Sequence, residues 1–139
     1  MKYLMITSMR NEAPYILEWL AYHSSIGVDG FLIYSNDCDD GTDQMLDRLD
    51  ALGVIKHVRN DKITKAGVQW SALKRAGNHP MRKRADWIIF ADVDEFVNVK
   101  AGAGHLDDLR AAVPDATAFA LTWRMYGNDS RVEIEDKLV

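Results

Sequence analysis

Short apolar runs and longer amphipathic stretches follow one another along the first half of the chain. Compact apolar runs predict strands at residues 3–7, 31–34 and 54–58. Between them, apolar residues recur at spacings of three and four, which is typical of helices with one buried face. The first such helix is predicted to start with Pro14 in its opening turn and to end at Gly27. The second has Asp40 as its predicted N-cap and ends before Gly53.

The second half of the chain continues the same alternation. A third helix is predicted around residues 72–76, a short one at 106–113, and a further strand at 117–125. The most apolar segment, residues 87–91, has no polar alternation. A continuous run of this kind is typical of a parallel strand covered on both faces. We therefore expect Phe90 to lie on a central strand.

Strands that alternate with helices predict the α/β class, with a mostly parallel sheet and helices on both faces. The length of 139 residues fits a single domain spanning residues 1–139. In such sheets, ligands bind beyond the carboxyl ends of the strands. The polar loops at residues 9–12, 35–40 and 92–95 each follow a predicted strand. We expect all three loops on one rim of the sheet.

Composition excludes several classes of function. The formal net charge of −4 argues against a nucleic-acid partner, although basic residues cluster between Lys74 and Arg84 as a predicted solvated helix face. Cys38 is the single cysteine, so no internal disulfide can form. The apolar stretch at the N-terminus is too short for a signal peptide or a transmembrane segment. A cytoplasmic location is therefore expected.

Three carboxylates stand within four residues after the most apolar strand: Asp92, Asp94 and Glu95. Crowded carboxylates repel one another unless a cation or a basic group offsets their charge. Mg²⁺ or Mn²⁺ does this well, because both prefer carboxylate, water and phosphate oxygens. Alternation along the chain would project Asp92 and Asp94 to one side and Val93 to the other. The Asp-x-Asp triplet alone is weak evidence, since an exposed acidic strand end produces the same pattern.

Several segments together resemble family 2 glycosyltransferases of the GT-A fold, in the branch with Arg-Asn-Glu and Asp-x-Asp-Glu-Phe signatures. The resemblance extends from about residue 3 to residue 127, with the segments in the order that the branch shows. The matching segments are Arg10-Asn11-Glu12, Glu18-Trp19-Leu20 with His23, Asp40-Gly41-Thr42, Asp86-Trp87 with Phe90, Asp92-x-Asp94-Glu95-Phe96, and Trp123-Arg124-Met125-Tyr126-Gly127.

This resemblance implies a transferase that takes a sugar from a nucleoside-diphosphate donor, with Mn²⁺ or Mg²⁺ as cofactor. It implies nucleotide contacts for Asn11, Glu12, Asn36 and Asp92, and metal ligation by Asp92 and Asp94. Asn36 stands where many members have an aspartate that reads the base, commonly uracil, and an amide can also hydrogen-bond to a base edge. The resemblance assigns no general base here.

The sequence is also compatible with other interpretations. Trp19 and Tyr22 lie at helical spacing, which favours core packing over sugar stacking, and His23 beside them is interpreted as structural. Because family 2 glycosyltransferase domains usually continue beyond this length, we expect that this chain is truncated at its C-terminus. A non-catalytic nucleotide- or glycan-binding module, or a degenerate fragment, is the first alternative function. A sugar-nucleotide pyrophosphorylase is the second, although the glycine-rich loop it needs after the first strand is missing.

Overall fold

The computed structural model describes residues 1–61, 65, 67–127 and 130 of the chain. The predicted loop at residues 59–67 therefore lies partly outside the described residues. In chain order, the helices and strands of the described part are β1 (Tyr3–Met9), α1 (Ile16–Ser25), β2 (Gly30–Ser35), α2 (Thr42–Ala51), β3 (Lys56–Arg59), α3 (Val68–Gly77), α4 (Pro80–Arg84), β4 (Trp87–Phe90) and α5 (Leu106–Ala112).

The four strands form one parallel sheet in the order β3-β2-β1-β4. In the register of β1 with β2, Met9 lies opposite Ser35, and in that of β1 with β4, Ile6 lies opposite Phe90. All four strands therefore end on the same side of the sheet. The α/β class and the parallel sheet predicted from the sequence are confirmed.

Helices cover both faces of this sheet, as predicted. Successive side chains of β1 point to opposite faces, so Met5 joins a core with residues of α1, α2 and α5, such as Trp19 and Leu46. Leu4 joins a smaller core on the other face, with Ala76 of α3. Because β1 and β2 carry apolar residues at successive positions, both faces of each strand are buried.

Two predicted helix starts are displaced. Pro14 precedes α1 rather than forming its first turn, because the helix begins at Ile16 with Tyr15 as N-cap. The N-cap of α2 is Gly41 rather than Asp40. Asp40 still caps this helix, since its carboxylate accepts a hydrogen bond from the Thr42 N–H at 2.9 Å. The chain turns at Gly41 with a φ of 97°, a conformation that glycine adopts without steric cost.

The prediction that Phe90 lies on a central strand is wrong for the described sheet. β4 is an edge strand that pairs only with β1 there, and 59% of Phe90 is exposed. The strand predicted at residues 117–125 is also not formed, and these residues have no regular secondary structure. A strand requires a hydrogen-bonded neighbour, and the strand pairings of the described residues do not include this segment, although the Phe119 ring lies 5.3 Å from the Trp87 ring of β4.

Within the described residues, no helix is long and apolar enough to cross a membrane.

Helix α4, which the sequence did not predict, follows α3 directly. The ring of its N-cap His79 accepts a hydrogen bond from the Met81 N–H, and Pro80 occupies the first turn. Exposed Arg82, Lys83 and Arg84 lie on this helix.

Candidate functional site

The carboxyl ends of β1, β2 and β4 bring three polar loops to one rim, as expected from the sequence. Glu12 follows β1, Asn36 follows β2 and Asp92 follows β4. Hydrogen bonds join the first loop to the second loop and to α2: the Asn36 N–H donates to the Met9 carbonyl, and the Glu12 N–H donates to the buried Thr42 hydroxyl of α2 at 2.8 Å. The rim therefore brings together segments that are distant in the sequence.

The segment after β4 forms a tight turn that presents two carboxylates. Asp92 and Asp94 are exposed, whereas Val93 is buried in the core on the α1 side, so the predicted alternation is confirmed. The Glu95 N–H donates to the Asp92 carbonyl at 3.0 Å, and the Glu95 carboxylate accepts from the Asp92 N–H at 2.9 Å. We call residues 92–95 the acidic turn.

Negative charge accumulates where the acidic turn meets the β1 loop. Burial raises the pKa of the Glu12 carboxyl, and the nearby charges of Asp94, Asp40 and Asp92 raise it further. Asp92 is exposed only in part, and its partial burial also raises its pKa, with additional contributions from Glu95 and Asp94. Both shifts have the sign expected for partly buried carboxylates that are held close together.

Asn11 holds two rim loops together through its side chain. Its amide nitrogen donates to the Asp39 carboxylate at 2.6 Å, and its amide oxygen accepts from the Asp39 N–H at 3.0 Å. Its backbone has a φ of 58°, in the left-handed region that asparagine tolerates better than most residues. Both polar groups of Asn11 are thus engaged in joining the loops, and the predicted nucleotide contact stays a prediction.

Asn36 is buried beside a charged network that the sequence analysis missed. Its neighbour Ser35 is hydrogen-bonded to Asp43 and to the ring of His57, which contacts Asp47 through its other nitrogen at 2.7 Å. Arg59 closes the network by pairing with both aspartates, at 2.8 and 2.7 Å. The network joins α2 to the ends of β2 and β3. The i, i+4 spacing of Asp43 and Asp47 on one helix was the available sequence signal.

A cavity of about 350 Å³ opens next to the acidic turn. Its lining includes Thr7, Gln69, Phe90, Asp92, Glu95 and Trp123. Among the described residues, the Thr7 hydroxyl is the one buried side-chain polar group that has no hydrogen-bond partner. Thr7 and Gln69 were not predicted as site residues, although Thr7 and Ser8 are polar residues within the mostly apolar strand β1. Trp123 is largely exposed.

Trp19, Tyr22 and His23 pack in the interior, as predicted. Trp19 and His23 are fully buried, and their ring centroids lie 4.7 Å apart.

Within the described ranges, no group of three or more His, Cys, Asp or Glu side chains is arranged to hold a metal ion. Protein side chains alone therefore do not complete a coordination sphere in this part of the chain.

A parallel α/β sheet with polar loops and an acidic turn at its carboxyl rim is typical of domains that bind their ligands at that rim. Comparison with known proteins identifies the family. The model of glycosyltransferase family 92 matches residues 6–137, and the chain belongs to this family. The assignment to family 2 made from the sequence is therefore wrong at the level of the family.

Curated relatives support this result. A family 92 glycosyltransferase of Oryza sativa subsp. japonica is 29% identical over 137 residues, 94% of this chain and 22% of the relative. One from Ricinus communis is 34% identical over 107 residues, covering 75% of this chain and 18% of the relative. The chain thus spans about a fifth of the length of these relatives.

Solved structures show a similar fold. The crystal structure of S. aureus TarS aligns with a TM-score of 0.56 at 16% identity, over 81% of this chain and 19% of TarS. A structure of TarS residues 1–349 aligns with a TM-score of 0.55 at 15% identity, over 82% of this chain and 32% of that one. At these identities the similarity concerns the fold, and it agrees with the GT-A-like architecture expected from the sequence.

Proposed function

We propose that this chain forms the nucleotide-sugar-binding part of a glycosyltransferase that uses a nucleoside-diphosphate sugar and a divalent cation. The observation that carries the proposal is the meeting of Glu12, Asp92 and Asp94 at one rim, beside a cavity. Membership of a glycosyltransferase family supports the reaction class.

The residues of the acidic turn fit a hard divalent cation. Burial is the main cause of the raised pKa values of Glu12 and Asp92, and neighbouring carboxylates add to both shifts; a bound cation would offset that neighbouring charge. Asp92 and Asp94 would hold the cation, with phosphate and water oxygens as its remaining ligands, as Mg²⁺ and Mn²⁺ commonly accept. When bound, such an ion stabilises the charge that develops on a leaving diphosphate.

Other rim residues would bind and orient the donor. The amide of Asn36 can both donate to and accept from a base edge, which is compatible with uracil. Gln69 adds an amide to the cavity beside Asp92. Asn11, through its two hydrogen bonds with Asp39, would fix the positions of the β1 and β2 loops relative to each other. We assign no general base and no acceptor beyond a glycan or a small molecule.

Titration calorimetry with UDP tests the proposal. In the presence of Mn²⁺ we expect a Kd between about 1 μM and 1 mM, equivalent to roughly 4 to 8 kcal/mol of binding free energy. With EDTA in place of Mn²⁺, the affinity should fall at least tenfold. Failure of every nucleoside diphosphate to bind with either Mn²⁺ or Mg²⁺ would contradict the proposal.

Two alternatives predict other outcomes. A non-catalytic module would bind nucleotide, but the full-length protein would transfer no sugar from any nucleoside-diphosphate sugar. A pyrophosphorylase would release the sugar nucleotide from a nucleoside triphosphate and a sugar phosphate, with diphosphate as co-product. The cytoplasmic location stays a prediction, which fractionation of cells that express the full-length protein would check.

A further inference from the structure

Three side chains of α1 hold the backbone of the acidic turn and of the residues that follow it. The indole N–H of Trp19 donates to the carbonyls of both Asp92 and Glu95, each at 3.0 Å. The Tyr22 hydroxyl donates to the Val97 carbonyl at 3.0 Å, and the Val97 N–H donates to His23 Nε2 at 3.3 Å. We call Trp19, Tyr22 and His23 the α1 clamp.

Only one tautomer of His23 satisfies these contacts. Its Nδ1 lies 2.9 Å from the Trp19 carbonyl, which can only accept, so Nδ1 carries the proton and Nε2 accepts from Val97. The ring is fully buried and stacks on Phe96 with centroids 5.8 Å apart. Burial lowers the pKa of His23, which keeps the ring neutral and Nε2 free to accept.

The clamp acts where regular structure provides no support. Residues 91–97 lie outside the sheet and the helices, so no ladder of backbone hydrogen bonds fixes them. The Trp19 N–H bridges the carbonyls at the two ends of the acidic turn, and Val93 between them is buried in the same core as Trp19. A shift of either carbonyl would change where Asp92 and Asp94 stand relative to Glu12 across the rim.

We propose that Trp19, supported by His23, is a positioning residue that sets the geometry of the acidic turn and thereby its affinity for a divalent cation and diphosphate. This inference rests on the function proposed above. A positioning role for Trp19 differs from a role in core packing alone, which would contribute to stability without a selective effect on the acidic turn. Residues that orient metal ligands from behind typically change metal affinity by about 10- to 100-fold.

The test uses Trp19→Phe, which keeps an aromatic ring in the core and removes the N–H donor. Tyr3→Phe is the matched control: it also removes one hydrogen-bond donor from a buried aromatic residue, but the lost bond goes to Asp107, at the opposite end of the sheet. Amide hydrogen exchange is measured without ligand, and Mn²⁺-dependent UDP affinity is measured well below the Tm of each variant.

For Trp19→Phe we expect faster exchange at residues 92–97 and about a tenfold loss of Mn²⁺-dependent UDP affinity. Tyr3→Phe should leave both unchanged even if its Tm falls. Unchanged exchange at residues 92–97 in Trp19→Phe would overturn the inference, as would faster exchange with full UDP affinity. If the wild-type chain binds no nucleotide, the proposed function fails, and the exchange data still decide whether Trp19 sets the geometry of the turn.

Discussion

Replacing Asp94 with asparagine removes one negative charge from the rim and keeps the size of the side chain. Asp94 is exposed, and its charge raises the pKa of both Glu12 and Asp92. In the metal-free protein, the substitution therefore relieves repulsion. In the metal-bound protein, it removes a charged ligand. Stability and ligand affinity should consequently change in opposite directions.

The expected sizes follow from the exposure of the site. Interactions between exposed charges are worth up to about 1 kcal/mol, so the metal-free Asp94→Asn protein should gain at most about 3 °C in Tm. A charged ligand contact contributes about 1.5 to 3 kcal/mol. Its loss corresponds to a decrease of about 10- to 150-fold in the affinity for Mn²⁺ and UDP together.

The assay combines thermal unfolding in EDTA with calorimetric titration of UDP in Mn²⁺. Asp107→Asn is the control, because the same chemical change then occurs at the other end of the sheet. There the carboxylate accepts from the Tyr3 hydroxyl at 2.6 Å and pairs with Lys2. The control should lose stability and keep UDP affinity. A destabilised Asp94→Asn protein with unchanged metal-dependent affinity would refute the role of Asp94.

Two further predictions concern buried and titrating groups at the rim. Thr7→Val should raise the free energy of unfolding by about 1 kcal/mol, because it removes a buried hydroxyl that lacks a partner among the described residues. Thr42→Val should lower the free energy of unfolding by about 1 to 3 kcal/mol, because the Glu12 N–H loses its acceptor. Urea unfolding of both variants checks these opposite changes. Because the pKa of Glu12 is raised in the folded state, its contribution to stability is present below the unfolded pKa of about 4.5 and is lost as pH rises through the folded value. In EDTA, wild type should therefore lose stability relative to Glu12→Gln as pH rises from 4 to 7. Wild type that keeps or gains stability relative to Glu12→Gln over this range would contradict this assignment.

Local pattern was sufficient for the first five helices and strands and for the rim. Apolar runs and helical spacing depend on neighbouring residues, so β1, α1, β2, α2 and β3 were predicted with shifts of a few residues at their ends. Parallel strands that alternate with helices end on one side of the sheet. This rule alone predicts from the sequence that Glu12, Asn36 and Asp92 lie on one rim. The ordered motifs also indicated a glycosyltransferase, although the family is 92 rather than 2.

Only the tertiary structure decided which partners these residues meet. The apolar run of β4 could not reveal its neighbours, and Phe90 lies on an edge strand because β4 pairs with β1 alone in the described sheet. The donor in Trp19 and its acceptor in Asp92 are 73 residues apart in the chain. No local period encodes such a contact, since it depends on how α1 packs beneath the rim. The sequence by itself therefore determined which groups reach the rim, whereas long-range packing determined how they are held there.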